Sequence, residues 1–186
     1  GWGRTGEPFA AQAFGVTPDI ITMAKGITNG VMPLGAVASR EKIYDTILDA
    51  SPTGAVEFFH GYTYSAIPPS IAAGLAMQDI IEKENLIQRS KDMSPYFLDG
   101  LFSLEDIDII TDIRGYGMLG GIDIRFDERP GKAGYTCFKK LFEAGLSLKA
   151  TGDCLIVAPP FICEREHIDE IIEKLRTGIT NYIKSK

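Results

Sequence analysis

Asp19-Ile20-Ile21-Thr22-Met23-Ala24-Lys25-Gly26 is an apolar, β-favouring run that ends on one lysine and a glycine. Ile20 to Ala24 predicts a strand. Lys25 to Pro33 predicts a loop, with Gly26, Asn29, Gly30 and Pro33 as its breakers. A strand that stops in a Lys-Gly pair holds an amine at the edge of a sheet, facing a cleft. A surface lysine at a strand end is the plainer alternative.

Beyond the loop, Leu34 to Ser39 predicts a buried strand. Ser39 is placed to cap a helix from Arg40 to about Ala50, with Ile43, Ile47 and Leu48 on one face. Phe58 to Tyr64 is an aromatic stretch interrupted by Gly61. Pro68-Pro69 opens a helix through Ala72, Ala73, Gly74 and Ala76 to about Lys83. Its small residues allow a strand or ligand to approach closely. Helix continues from Leu86 to Leu104, with disturbances expected at Ser94-Pro95 and Gly100. Ahead of the strand, Gly1-Trp2-Gly3-Arg4-Thr5-Gly6 predicts a loop, and Glu7 to Phe14 a short helix that Gly15 caps.

The pattern then changes. Ile107 to Ile113 and Met118 to Arg125 predict strands around a turn at Arg114-Gly115-Tyr116-Gly117. A polar loop, Asp127 to Gly134, leads to a helix from Tyr135 to Ala144. Short strands at Leu146 to Lys149 and Leu155 to Ala158 flank the turn Thr151-Gly152-Asp153. Glu164 opens an amphipathic helix to about Ile183, with Ile168, Ile171, Ile172, Leu175 and Ile179 inward. Residues 1–85 therefore read as an α/β part, and residues 86–186 as a compact α+β unit of βαββα order.

Bulk properties exclude several classes of function. The chain has 186 residues, 45% hydrophobic and 24% charged, which is the composition of a globular protein with a substantial core. A net charge of −6 argues against a general nucleic-acid role. The three cysteines, Cys137, Cys154 and Cys163, are odd in number and form no Cys-x-x-Cys pair. They predict buried thiols, a reducing cytoplasm and no metal site. No apolar run approaches the roughly 20 residues of a membrane span. The chain opens without Met inside a Gly-rich turn, which predicts a fragment of a longer protein.

Four motifs together resemble those of the class-III aminotransferases, pyridoxal 5'-phosphate enzymes of fold type I. They are Gly1 to Gly6; Pro18 to Gly26 followed by Pro33-Leu34-Gly35-Ala36; His60-Gly61-Tyr62-Thr63-Tyr64-Ser65; and Thr151-Gly152-Asp153 followed by Pro159-Pro160. Their order and spacing fit across nearly the whole chain. Ala55-Val56-Glu57-Phe58 and Ala72-Ala73-Gly74-Leu75-Ala76 are most similar to the ω-amino acid–pyruvate (β-alanine–pyruvate) branch. The resemblance implies that residues 1–85 are the C-terminal part of the large cofactor-binding domain. Residues 86–186 would be the small C-terminal domain that closes over the substrate.

The resemblance also implies a chemistry. Lys25 would hold the cofactor as a Schiff base, then act as base and acid at the substrate Cα. Thr63 resembles the threonine that binds the cofactor phosphate from a neighbouring subunit, so a homodimer or higher homo-oligomer is implied, and Tyr62 would line the same site. An aromatic strand end with no ligand is the alternative for Thr63, and His60 is assigned no chemistry. The implied reaction moves an amino group from an ω-amino acid or amine to pyruvate. Other readings are an aminomutase, another amine donor, or a non-catalytic remnant.

Two departures stand out. Lys149 occupies the position where the branch commonly carries an arginine for the substrate carboxylate. It keeps the charge but loses the bidentate fork; a solvated strand-end lysine is the alternative. Ala66-Ile67-Pro68 lacks the usual histidine before the proline. The family's carboxylate for the pyridine nitrogen, its phosphate loop and its ring-stacking aromatic precede these motifs and are not found here.

Overall fold

A computed structural model describes residues 1–53, 55, 61–125 and 129–185 of the chain. It divides into two compact units. One comprises Trp2 and Ala11–Asn85, the other Gly1, Gly3–Ala10 and Leu86–Lys186.

In the first unit, strand β1 (Ile20–Met23) pairs antiparallel with β2 (Ala36–Ser39), Ile20 opposite Ser39 and Met23 opposite Ala36. The connection between them carries Lys25. It is not all loop, because Lys25–Ile27 forms one 3-10 turn. At the other end of the hairpin, Arg40 Nε lies 3.1 Å from Asp19 Oδ1, and the same guanidinium donates to Thr17 O and Pro18 O. Arg40, and not Ser39, is the N-cap of α2 (Glu41–Ala50), and no side chain bonds that helix start. The expected burial of β2 is also not met, since Val37 is 69% exposed. The sheet has two strands and no layer over that side among the described residues. Ile43, Ile47 and Leu48 of α2 do lie on its half-buried face. Short helix α1 (Ala10–Ala13) precedes the hairpin, and α3 (Pro68–Lys83) follows it, starting at its proline pair as expected.

The second unit holds the core. Its sheet has the order β3-β4-β6-β5, all antiparallel, from β3 (Ile110–Tyr116), β4 (Leu119–Ile124), β5 (Lys149–Thr151) and β6 (Cys154–Val157). Helices α4 (Leu86–Phe102), α5 (Lys132–Glu143) and α6 (Arg165–Lys184) supply the other layer. After α4 the order is ββαββα rather than βαββα, because β3 and β4 form a hairpin of their own. Its turn is tighter than expected. Arg114 to Tyr116 stay in the strand, and Tyr116 pairs with Leu119. Period-two burial puts Ile122, Ile124, Leu155 and Val157 against the helices, where they meet Phe97, Leu101, Leu141, Leu175, Ile179 and Tyr182.

Neither Pro95 nor Gly100 breaks α4. Ser94 Oγ donates to Ser90 O at 2.6 Å. A Cβ on Gly100 would stand 3.0 Å from Ile172 Cγ1. Gly100 is thus a place where α4 and α6 pack closely, not where a helix ends. Of the cysteines, only Cys137 is buried, and burial pushes its thiol up to about 12. Cys154 and Cys163 are half-buried, with thiols also raised by burial.

The sheet face away from the helices carries an ion-pair cluster. Arg114 reaches Asp112 at 2.6 Å and Asp123 at 2.7 Å. The hydrogen bond from Arg114 holds the Asp123 carboxyl below its ordinary value. That contribution to stability is present above the ordinary carboxylate value, about pH 4, and is lost as pH falls through the depressed one. Thermal melting between pH 7 and pH 2 should show this acid-side loss, and Asp123→Asn should flatten it. The pair is exposed, so the change is small. An unchanged acid limb in Asp123→Asn would contradict the assignment.

Candidate active site

Lys25 follows β1 after the single residue Ala24 and opens the 3-10 turn with φ +54. A lysine in the left-handed region costs about 1–2 kcal/mol relative to ordinary backbone. Such strain persists only where the surroundings over-determine it, and it gathers at functional sites. Three contacts hold this turn. The Trp2 side chain lies on Gly26, where an added Cβ would stand 2.6 Å from Trp2 Cβ. From α3, Gly74 comes up to the turn, and its Cβ would lie 3.3 Å from Leu34 Cδ2 and 3.6 Å from Ile27 O. Finally, buried Thr28 donates its hydroxyl to Met32 O at 2.6 Å and closes the loop on itself.

Lys25 itself is exposed, and its amine has no hydrogen-bond or ion-pair partner among the described residues. A free amine on a fixed backbone suits a nucleophile toward a carbonyl. Sequence reasoning found the lysine but missed the signals around it, namely the positive φ and the seat of Trp2 on Gly26. Small residues at Ala72, Ala73 and Gly74 were the one legible hint of close approach. The α3 side of that hint falls on the Lys25 turn itself.

Tyr62 and Thr63 lie in the same unit as Lys25. Both are exposed, at the start of a turn in which Ser65 N–H donates to Tyr62 O at 2.9 Å. Ala66 ends that turn at φ +57. Among the described residues, no hydrogen bond joins Thr63 to Lys25. His60 and the stretch Val56 to Phe58 lie outside the described residues.

Lys149 belongs to the second unit. It is exposed at the start of β5, opposite Ile156. Register sets Arg114, Gly121, Ile156 and Lys149 in one row on the sheet face away from the helices. The next row on that face holds Asp112, Asp123, Cys154 and Thr151. The two cations of the first row differ. Arg114 is committed to Asp112 and Asp123, whereas Lys149 has no ion-pair partner among the described residues.

Arg4 is committed to backbone carbonyls of its own unit. Its guanidinium donates to Met118 O at 2.9 Å and to Pro159 O, and it lies 4.5 Å from the Phe161 ring centroid. Burial lowers its pKa from the ordinary value. Met118 N–H returns a bond to Arg4 O at 2.8 Å. Arg4 therefore docks the first loop on the β3–β4 turn. Among the described residues no group of His, Cys, Asp and Glu is arranged to hold a metal, and no helix is long and apolar enough to cross a membrane.

Residues 1–179 match the family model "Aminotransferase class-III". This chain belongs to the class-III aminotransferases. It is 43% identical over 179 residues to an omega-aminotransferase of Caulobacter vibrioides, covering 95% of the chain and 40% of that protein. A beta-alanine–pyruvate aminotransferase of Pseudomonas aeruginosa is 41% identical over 174 residues, covering 92% and 39%. Among solved structures, a (S)-enantioselective omega-transaminase from Thermomicrobium roseum superposes with a TM-score of 0.89 at 32% identity, covering 98% of this chain and 42% of that one. The fold is that of the fold type I, pyridoxal-phosphate-dependent transaminases. The chain spans about two fifths of the length of the curated relatives it matches.

The seat of the Lys25 turn gives a direct test. Gly26→Ala should destabilise the protein by about 1–3 kcal/mol in urea unfolding, because the new methyl meets Trp2 close to its backbone. Gly61→Ala, with nothing within 4 Å of its added Cβ, should stay within about 0.5 kcal/mol. Equal effects of the two substitutions would show that the Trp2–Gly26 contact does not hold the turn.

Proposed function

We propose that this chain carries the lysine and the substrate-closing part of a transaminase that moves an amino group from an ω-amino acid or amine to pyruvate. The observation that carries the reading is Lys25, a free amine at a strand end on strained, well-supported backbone, within a class-III aminotransferase sequence. The omega-aminotransferase and beta-alanine–pyruvate aminotransferase among its relatives support the choice of branch.

The residues present fit pyridoxal phosphate chemically. The Lys25 amine suits its aldehyde, and the exposed Thr63 hydroxyl, in a turn with Tyr62 beside it, suits its phosphate. Pyridoxal phosphate supplies the electron sink for the reaction when bound. Lys25 Nζ removes the proton from the donor carbon that bears the amino group, and in the return half-reaction delivers a proton to the former carbonyl carbon of the acceptor. Thr63 acts from the neighbouring subunit, so the working unit is a homodimer or a larger homo-oligomer, in the cytoplasm. Residues 1–85 belong to the large domain and residues 86–186 to the small one. Lys149 receives the substrate carboxylate. Its ammonium is a point charge without the planar fork of arginine, so it holds that carboxylate with less directional preference.

Two experiments test these assignments. Borohydride reduction of the intact, cofactor-loaded enzyme should fix the cofactor on the peptide that contains Lys25, and Lys25→Ala should abolish both the label and turnover. A label on another lysine would refute the reading. For Lys149, the donor half-reaction separates carboxylate-bearing from plain amine donors. Lys149→Ala should raise the apparent Kd of the carboxylate donors about tenfold and leave plain amines within about twofold. Equal effects on both would remove its role.

A further inference from the structure

We infer that Asp153 is a positioning residue for Lys149, acting through the start of α5. The inference rests on the reading of Lys149 as the carboxylate receptor.

Helix α5 begins without a cap of its own. Its N-cap is Gly131, at φ +84, which has no side chain to offer the first turn. The missing acceptor comes from a residue far along the chain. Asp153 Oδ2 accepts from Gly131 N–H at 2.7 Å, and Oδ1 accepts from Gly134 N–H at 3.0 Å. One carboxylate thus satisfies both the N-cap and the N3 donors of the helix, with its negative charge at the positive end of the helix dipole. The fit is tight as well as polar. A Cβ on Gly134 would stand 2.2 Å from Gly152 O and 2.8 Å from Asp153 Cα. The β5–β6 turn therefore lies directly against the first turn of α5.

That turn is the only covalent link between β5 and β6. Thr151 pairs with Cys154, and Gly152 between them has φ +60. β5 is three residues long and lies at the edge of the sheet, paired only to β6. An edge strand so short has few ladder bonds to set its position. Leu148 and Ala150 beside Lys149 pack on the core, and the remaining freedom of Lys149 along the sheet edge is set by what anchors the turn at the inner end of β5. Asp153 supplies that anchor through two charge-assisted bonds to a twelve-residue helix. Arg114 and the Asp112–Asp123 pair stand on the far side of the sheet row and do not touch Lys149, so they offer it no alternative support.

A positioning role predicts substrate selectivity, not mere loss of fold. In the intact enzyme, Asp153→Ala should raise the apparent Kd of carboxylate-bearing donors about tenfold and leave plain amine donors within about twofold. Asp153→Asn keeps one acceptor oxygen and should show the same selectivity at reduced size, which provides the measurement if the alanine variant does not fold. In a Lys149→Ala background, either Asp153 substitution should add nothing to the carboxylate Kd. The proposal is overturned if Lys149→Ala is selective for carboxylates while the Asp153 variants affect both donor classes equally or neither. It is also overturned if the two substitutions add independently. If Lys149→Ala itself is unselective, the failure lies with the carboxylate assignment of Lys149, and this inference falls with it.

Discussion

The first unit depends on keeping one residue, Lys25, in a backbone conformation that lysine disfavours. A β1 strand could end in many ways, and an ordinary extended ending would leave the amine pointing wherever solvent took it. Here the left-handed φ turns the chain at once into the 3-10 turn. The cost is offset by close packing that only glycine permits, Trp2 over Gly26 on one side and Gly74 of α3 on the other. With the backbone held in this way, the flexible part of the lysine is its side chain alone. That is the division of labour a covalent catalyst needs, with a fixed base of attachment and a mobile amine.

The second unit addresses a different constraint. Its helices bury one face of a four-stranded sheet, and the charge on the other face is arranged in rows. Arg114 is neutralised by two carboxylates, so the row keeps one cation, Lys149, that is uncommitted among the described residues. A cation that has no internal partner is available to a ligand anion, whereas one locked in a bidentate pair is not. Arg4 illustrates the second case in another place. It is half-buried, bonded to two carbonyls and stacked near Phe161, and its work is to dock a loop. Charge type alone would have ranked the three cations alike; their partners distinguish them.

Much of this was legible in the residues. The strand Ile20–Met23, the proline-led start of α3 and the inward face of α6 all follow from period and breaker signals, since each element buries a face whose spacing is local. The motifs carry the family, and the match over residues 1–179 agrees with them. Where local reading failed, packing or strand pairing overrode the local signal. Gly100 reads as a helix breaker until Ile172 is set against it, and Pro95 passes through α4 inside a helix held on its buried face. The β3–β4 turn tightens because Tyr116 finds Leu119 across the ladder.

By itself, then, the sequence determined the types of most elements, the apolar faces that build the core, and the family motifs around Lys25, because these depend on residue type and short-range spacing. Only the tertiary structure decided that Lys25 sits on left-handed backbone beneath Trp2, that Lys149 is uncommitted while Arg114 is not, and that Asp153 caps a helix beginning some twenty residues before it. The seat of Trp2 on Gly26 and the cap from Asp153 are contacts between residues far apart in the chain. No local pattern encodes such a contact, because its energy comes from the partner that folding brings to it.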